Sequence, residues 1–263
     1  MKPDYKNWVP RGMVAVFLTA AALLLLCLLL FGVMGLGVSR TIQRCLAAGF
    51  GVAFLICAGY ALWCVMAYRA FSYAGKRQMS RQIIEGIAGF VILPEGGRGL
   101  DVGCGSGALT IACAKRNQRG AMTGLDRWGK EYASFNKPLC EQNAVAEGVR
   151  NVTFVKGDAV RLEFPDECFD AVTSNYVYHN IMGVDRQGLL LETLRVLKKG
   201  GVFAIHDIMS PARYGDMTAF VERLKEQGYE EVRLIDTAKG MFMSPKEAKW
   251  LALSGSMLLV GRK

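Results

Sequence analysis

Histidine is nearly absent: the 263 residues include two, His179 and His206. None of the eight cysteines stands in a C-x-x-C pair. Zinc and iron–sulfur sites need thiolates or imidazoles at short spacing, so no metal site is expected. The cysteines read as reduced thiols of a cytosol-facing protein. Charge is missing altogether from residues 13–38 and again from 45–68. A basic surplus is missing from the last two-thirds of the chain. Of the net +9, nine Lys/Arg against one acid fall within residues 1–81, which leaves +1 for residues 82–263. A polyanion-binding face needs a basic stripe on the folded domain, so nucleic acid is not expected as a partner.

What is present begins with the two uncharged stretches. Hydrophobic residues make up 52% of the chain and its mean hydropathy is +0.22, an excess concentrated in these runs. A helix over 13–38 would be about 39 Å long, enough to cross a hydrocarbon core of about 30 Å. The second run is of similar length. Glycines recur in both, and Trp8, Tyr60, Trp63 and Tyr68 lie near their ends, where aromatic belts form. A signal peptide is the competing reading of the first run, but its apolar core is too long and a second run follows closely. The reading is therefore a membrane anchor over 1–75 with two transmembrane helices, then a domain over 76–263.

The link 39–44 is short, so the two spans are antiparallel. Lys2, Lys6 and Arg11 lie on one side and Arg69, Lys76, Arg77 and Arg81 follow the second span, against Arg40 and Arg44 in the link. Positive charge inside places both ends, and the domain, in the cytoplasm. The stretch 69–90 alternates basic and apolar residues. It reads either as an interfacial helix on lipid headgroups or as the first helix of the domain packed on its sheet.

From Arg98 onward short apolar strands alternate with longer helical patterns. Strands are predicted at 99–102, 122–126, 152–156, 169–174 and 202–206, with helices at 108–117, 130–147, 186–198 and 216–227. That rhythm predicts an α/β, doubly wound, mostly parallel sheet covered on both faces. Gly200-Gly201 is read as closing a helix. Strands at 231–235 and 257–260 have only a short helical piece between them, which predicts a C-terminal antiparallel pair.

The strongest local signal is Leu100-Asp101-Val102-Gly103-Cys104-Gly105-Ser106-Gly107: a strand, a glycine turn, then a helix start. Glycine lets the backbone bend sharply and approach a ligand with no Cβ in the way, and the helix start offers free N–H groups. Dinucleotide enzymes use G-x-G-x-x-G at the same place. Here the third glycine comes one residue early and an acid stands two residues before the first. Asp126 closes the second strand, where a carboxylate can hold a ribose diol. Asp158 closes the third strand in Val155-Lys156-Gly157-Asp158-Ala159; a turn N-cap is its bland alternative. Phe169-Asp170-Ala171-Val172 enters the core and leads to a loop holding Ser174, Asn175, Tyr176 and His179 at the ligand-binding edge of the sheet. His179 is the obvious general base, unless it only caps or orders that loop.

Together these motifs, over roughly residues 80–263, resemble the class I S-adenosylmethionine-dependent methyltransferases, whose first motif is acid-x-G-x-G-x-G. The resemblance implies S-adenosylmethionine as cofactor, with Asp101, Gly103, Gly105 and Gly107 forming the loop. Asp126 would take the ribose, Arg127 or Trp128 would lie over the adenine, and Asp158-Ala159 would cap its amino group. Helix packing is the alternative for Trp128. Ser174 and Asn175 would flank the methionine end, and Tyr176 and His179 would face the acceptor. Val196-Leu197-Lys198-Lys199-Gly200-Gly201 is similar to the family's L-K-P-G-G, with Lys199 in place of proline. His206 and Asp207 follow on the same edge as further acceptor-site candidates.

The chain lacks the [DNS]-P-P-[YFW] loop of enzymes that methylate exocyclic amines in nucleic acids; Ser174-Asn175-Tyr176-Val177 stands there. An anchor beside the domain implies a small, lipophilic or membrane-associated acceptor. A nicotinamide-dependent oxidoreductase, which needs no Asp158, and a silent membrane adaptor of methyltransferase-like fold are the alternatives.

Overall fold

The computed structural model describes residues 2–129 and 134–263. They form two compact units: residues 7–80, and the residues up to Lys6 together with Arg81–Lys263.

In the first unit α1 (Arg11–Cys27) runs on as a π-helical stretch (Leu28–Val33), and α2 follows (Arg40–Phe71). Both helices are long and apolar enough to cross a membrane, and large side chains such as Leu23, Leu26, Val52 and Leu55 face outward. The connection is 34–39 rather than the expected 39–44. Gly35 and Gly37, at φ +67° and +72°, break the first helix, whereas nothing in 40–44 resists helix formation. The two helices pack closely at Gly32, where a Cβ would stand 2.8 Å from Ala47 Cα. At the other end Asn7 Nδ2 donates to Tyr68 O (2.8 Å) and Arg11 Nε to Tyr68 Oη (2.8 Å).

The second unit is built on a seven-stranded sheet: β1 (Arg98–Val102), β2 (Ala121–Asp126), β3 (Val152–Lys156), β4 (Phe169–Asn175), β5 (Leu197–Ile208), β6 (Glu230–Asp236) and β7 (Ser256–Arg262). Their order is β3-β2-β1-β4-β5-β7-β6. The first five are parallel, and β7 lies antiparallel between β5 and β6, so the expected C-terminal pair is present. The order reverses between β1 and β4, and the crevice beyond their carboxyl ends is where such sheets bind ligands.

Helices cover both faces: α3 (Met79–Ala88), α4 (Ala108–Arg116), α5 (Lys137–Ala146), α6 (Arg186–Arg195), α7 (Pro211–Tyr214), α8 (Met217–Glu226) and α9 (Pro245–Trp250). Ile83, Ile84 and Ile87 of α3 are buried, and Gly86 lies so close to the Phe242 ring that a Cβ would meet it at 2.3 Å. Residues 81–88 are thus packed as a helix of the domain. The core runs from Leu100 and Val102 through Val172, Phe203 and Ile205 to Leu190, Leu194, Phe220 and Leu224.

Two local expectations are corrected. The helix expected from residue 130 starts at Lys137, because Asn136 caps it by accepting the Leu139 N–H (2.9 Å); residues 130–133 lie outside the described residues. Gly200-Gly201 does not close a helix. α6 ends at Arg195, β5 begins at Leu197, and pairing jumps from Phe169↔Leu197 to Ala171↔Val202, so the glycines form a bulge, with Gly200 at φ +76°.

A segment far from the sheet in sequence also belongs to this unit. The Asp4 N–H donates to Asn143 Oδ1 (2.7 Å), Asn143 Nδ2 donates back to Asp4 O (3.0 Å), and Tyr5 Oη donates to Glu147 Oε1 (3.1 Å).

Candidate cofactor and acceptor site

The glycine loop joins β1 to α4. Gly103, Gly105 and Gly107 all have positive φ, +73°, +56° and +80°. Each is required differently. A Cβ on Gly103 would strike Val177 (2.3 Å), and one on Gly107 would press on the Phe154 ring (3.0 Å). At Gly105 the nearest atom among the described residues would be 4.0 Å away, at Phe135, so none of them crowds the bare backbone there. Such a cradle suits a bulky ligand. The loop is held from behind: Trp128 Nε1 (3.0 Å) and Cys140 Sγ (3.2 Å) donate to Gly105 O, and Asn143 Nδ2 (3.0 Å) donates to Ser106 O.

Asp126 stands half-buried at the end of β2. Its Oδ2 accepts the Gly105 N–H (2.8 Å) and its Oδ1 the Trp128 N–H (2.7 Å). Each oxygen keeps a lone pair for a hydroxyl. Arg127 beside it is exposed. Asp158 is exposed at the end of β3, with Oδ1 accepting the Val160 N–H (2.9 Å), and Ala159 is buried behind it. The two carboxylates and the bare Gly105 backbone fit an adenosyl ligand. Trp128 is tied to the loop and to Asp126 rather than simply packed on a helix.

Asp101 and Ser174 are placed differently from the ligand-facing positions expected of them. Both are buried, Asp101 at 1% exposure. Asp101 sits beneath the loop, accepting Thr110 Oγ1 (2.6 Å) and Thr173 Oγ1 (2.9 Å). Burial pushes its carboxyl up to about 7, against the two hydroxyl hydrogen bonds. The unfolded chain releases this proton near 3.8. The group's contribution to stability is therefore full below that value and lost as pH rises through about 7. Asp101→Asn keeps the shape without the charge. It is expected to stabilise the protein by about 1–3 kcal/mol at pH 8 and by about half as much at pH 5.5. Thermal melts at the two pH values check this, and an equal shift at both would disprove it.

The candidate acceptor side lies over β4 and β5. Val177 packs on Gly103, and a 3₁₀ turn (Tyr178–Asn180) presents His179. His179 Nδ1 lies 2.5 Å from Asp207 Oδ1, and its backbone N–H donates to Asp207 Oδ2 (3.0 Å). Asp207 also accepts the Ile208 N–H (2.7 Å) and Tyr214 Oη (2.9 Å). Burial pushes its carboxyl up, but these bonds, His179 foremost, outweigh burial and hold it below its ordinary value. An ionised carboxylate only accepts, so Nδ1 carries the imidazole proton and Nε2 is left as the basic nitrogen. The His179 side chain is 16% exposed and that of Asp207 fully buried.

Tyr176 and His206 have supporting places. Tyr176 sits at φ +55°, its ring 4.6 Å from His206 and its Oη 2.8 Å from Ser256 Oγ. Burial pushes its phenol well above the usual range, which keeps the hydroxyl protonated. His206 is fully enclosed between Asn175 Oδ1 and Thr237 Oγ1, 2.8 Å each, and burial holds it down to about 3. It stays neutral and does not reach the acceptor crevice. Asp207 is likewise fully buried, behind His179. Thr237 and Asn143 escaped sequence reasoning: both lie outside any motif, and only the fold brings them to the site.

The sheet order, the glycine loop and the acids closing β2 and β3 make a Rossmann-like domain similar to those of S-adenosylmethionine-dependent methyltransferases, and S-adenosylmethionine is the cofactor that fits it. Residues 100–205 match the methyltransferase domain family. Demethylmenaquinone methyltransferase of Geobacillus stearothermophilus is 34% identical over 122 residues, 46% of this chain and 49% of that protein. The 2-phytyl-1,4-naphtoquinone methyltransferase of Thermosynechococcus vestitus is 30% identical over 148 residues, 56% and 59% of the two chains. The chain thus spans about half the length of the curated relatives it matches. Among solved structures the cyclase SpnF superimposes with a TM-score of 0.53 at 21% identity, over 73% of this chain and 85% of its own, which shows the shared fold.

Proposed function

We propose that the chain transfers a methyl group from S-adenosylmethionine to a lipophilic, membrane-associated acceptor that gives up a proton in the reaction. The observation that carries this reading is the His179–Asp207 pair (2.5 Å) on the segment packed against the glycine loop. The cofactor supplies a methyl group already activated on a sulfonium. Asp126 and Asp158 would hold its ribose and adenine. The residues' main task is to hold donor and acceptor in line at near-attack distance. His179 Nε2 would take the acceptor's proton and Asp207 would steady the imidazolium that results; as the acceptor atom bonds to the methyl carbon, the carbon–sulfur bond would break, its electron pair staying on the sulfur of departing S-adenosylhomocysteine. Acceptors that need no deprotonation would have no use for this pair.

Two observations support a lipophilic acceptor: the apolar helices α1 and α2, and relatives whose names specify quinone-type substrates. The docking of Asp4 and Tyr5 onto the domain that follows α2 supports a hairpin. A chain that crosses a membrane in α1 must then return in α2. With the basic flanks, this favours a cytoplasmic domain and a connection at 34–39 outside. Labelling by an impermeant reagent of a cysteine introduced at Gly37 in intact cells checks the orientation; protection until lysis would refute it.

The enzyme reading is tested with full-length protein in detergent, methyl-labelled S-adenosylmethionine and a membrane lipid extract. Label is expected in the organic phase, dependent on His179. Firm cofactor binding with no label in any lipid fraction would overturn the acceptor class.

A further inference from the structure

Asn143 on α5 is 2% exposed, an unusual burial for an amide in the middle of a helix. Its side chain explains itself by what it joins. One face pairs with both backbone groups of Asp4, accepting its N–H and donating to its carbonyl, as a neighbouring strand would. The remaining N–H of the same Nδ2 is donated to Ser106 O in the glycine loop. Tyr5, 6% exposed, lies alongside, with its hydroxyl on Glu147, which is itself paired with Lys115 of α4. Asp4 in turn holds Lys6 Nζ at 2.5 Å.

We propose that residues 4–6 form a strap that fixes the cofactor loop through Asn143, making the segment before the first apolar helix part of the cofactor site. Asn143 is a positioning residue: it touches no ligand, but it satisfies a loop carbonyl from behind while the strap locks its amide in orientation. With the strap gone, the amide loses two backbone partners and turns toward water, and Ser106 O loses a fixed donor. The inference rests on reading the loop as the S-adenosylmethionine site.

The experiment is hydrogen exchange on the full-length protein in detergent, without ligand, on Asp4→Pro and on a deletion of residues 2–5. Asp4→Pro removes the donated N–H, and with it the carboxylate that holds Lys6, and changes no residue of 81–263. Exchange at 105–108 is expected to rise about fivefold, the equivalent of one net hydrogen bond, with β6 unchanged. Affinity for S-adenosylhomocysteine should fall by a similar factor. Asn143→Asp, which lacks both donors, should reproduce the effect if it folds; the strap variants keep the test decisive if it does not. Unchanged exchange at 105–108 in both strap variants would overturn the proposal, as would residues 2–6 exchanging as free chain in the unaltered protein. If the loop responds but the unaltered protein binds no S-adenosylhomocysteine, the cofactor reading fails and the strap stands.

Discussion

His179→Ala is expected to lower kcat about 10²–10⁴-fold, the usual worth of a positioned general base, and to leave affinity for S-adenosylhomocysteine unchanged. The split follows from placement. His179 reaches the crevice from the candidate acceptor side, whereas the candidate contacts to the adenosyl group come from the ends of β1, β2 and β3. Asp207→Asn is the sharper companion. The new amide can donate to Nδ1, which would move the imidazole proton to Nε2 and turn the base into a donor. Its loss should approach that of His179→Ala although Asp207 itself touches no acceptor. Since its hydrogen bonds hold Asp207 below the ordinary carboxylate range, this contribution is present above that range and is lost only as pH falls through the lowered value. Rapid-quench kinetics with labelled cofactor would measure it. A wild-type rate in His179→Ala would show that the acceptor needs no base.

The fold was legible because periodicity and glycine placement are local properties. Strands β1 to β4 and the acids Asp126 and Asp158 follow from alternation and from where each apolar run stops. Failures came where a local signal had two physical uses. Gly200-Gly201 suits a helix terminus or a strand bulge equally, and only the partner strand β4 decides between them. Asp101 belongs to the loop motif, but its side chain points down into the core, because successive strand residues alternate faces. His179 was legible as a candidate; the tautomer that makes it a base depends on Asp207, 28 residues later, brought beside it by β5. Asn143 and Asp4 lie 139 residues apart, joined by hydrogen bonds between the Asn143 side chain and the Asp4 backbone that leave no mark in composition.

Asp126→Ala should weaken S-adenosylhomocysteine binding about 100-fold or more. Hydrogen bonds to a charged group are each worth about 1.5–3 kcal/mol, and a carboxylate gripping two ribose hydroxyls supplies two. The same variant strips acceptors from the Gly105 and Trp128 N–H groups, so part of the loss is loop order rather than direct contact. Asp126→Asn separates the two. Its one amide oxygen preserves either N–H bond, and its neutral head removes the charge-assisted grip on the diol. An intermediate loss with unchanged exchange at 105–108 assigns the difference to the ligand. Asp158→Ala should cost less, about tenfold, because Asp158 is exposed and water competes for its partner. Calorimetric titration of all three on full-length protein is the measurement. Equal affinity for the unaltered protein and Asp126→Ala would mean that the acid closing β2 only braces the loop, and that the adenosyl group sits elsewhere.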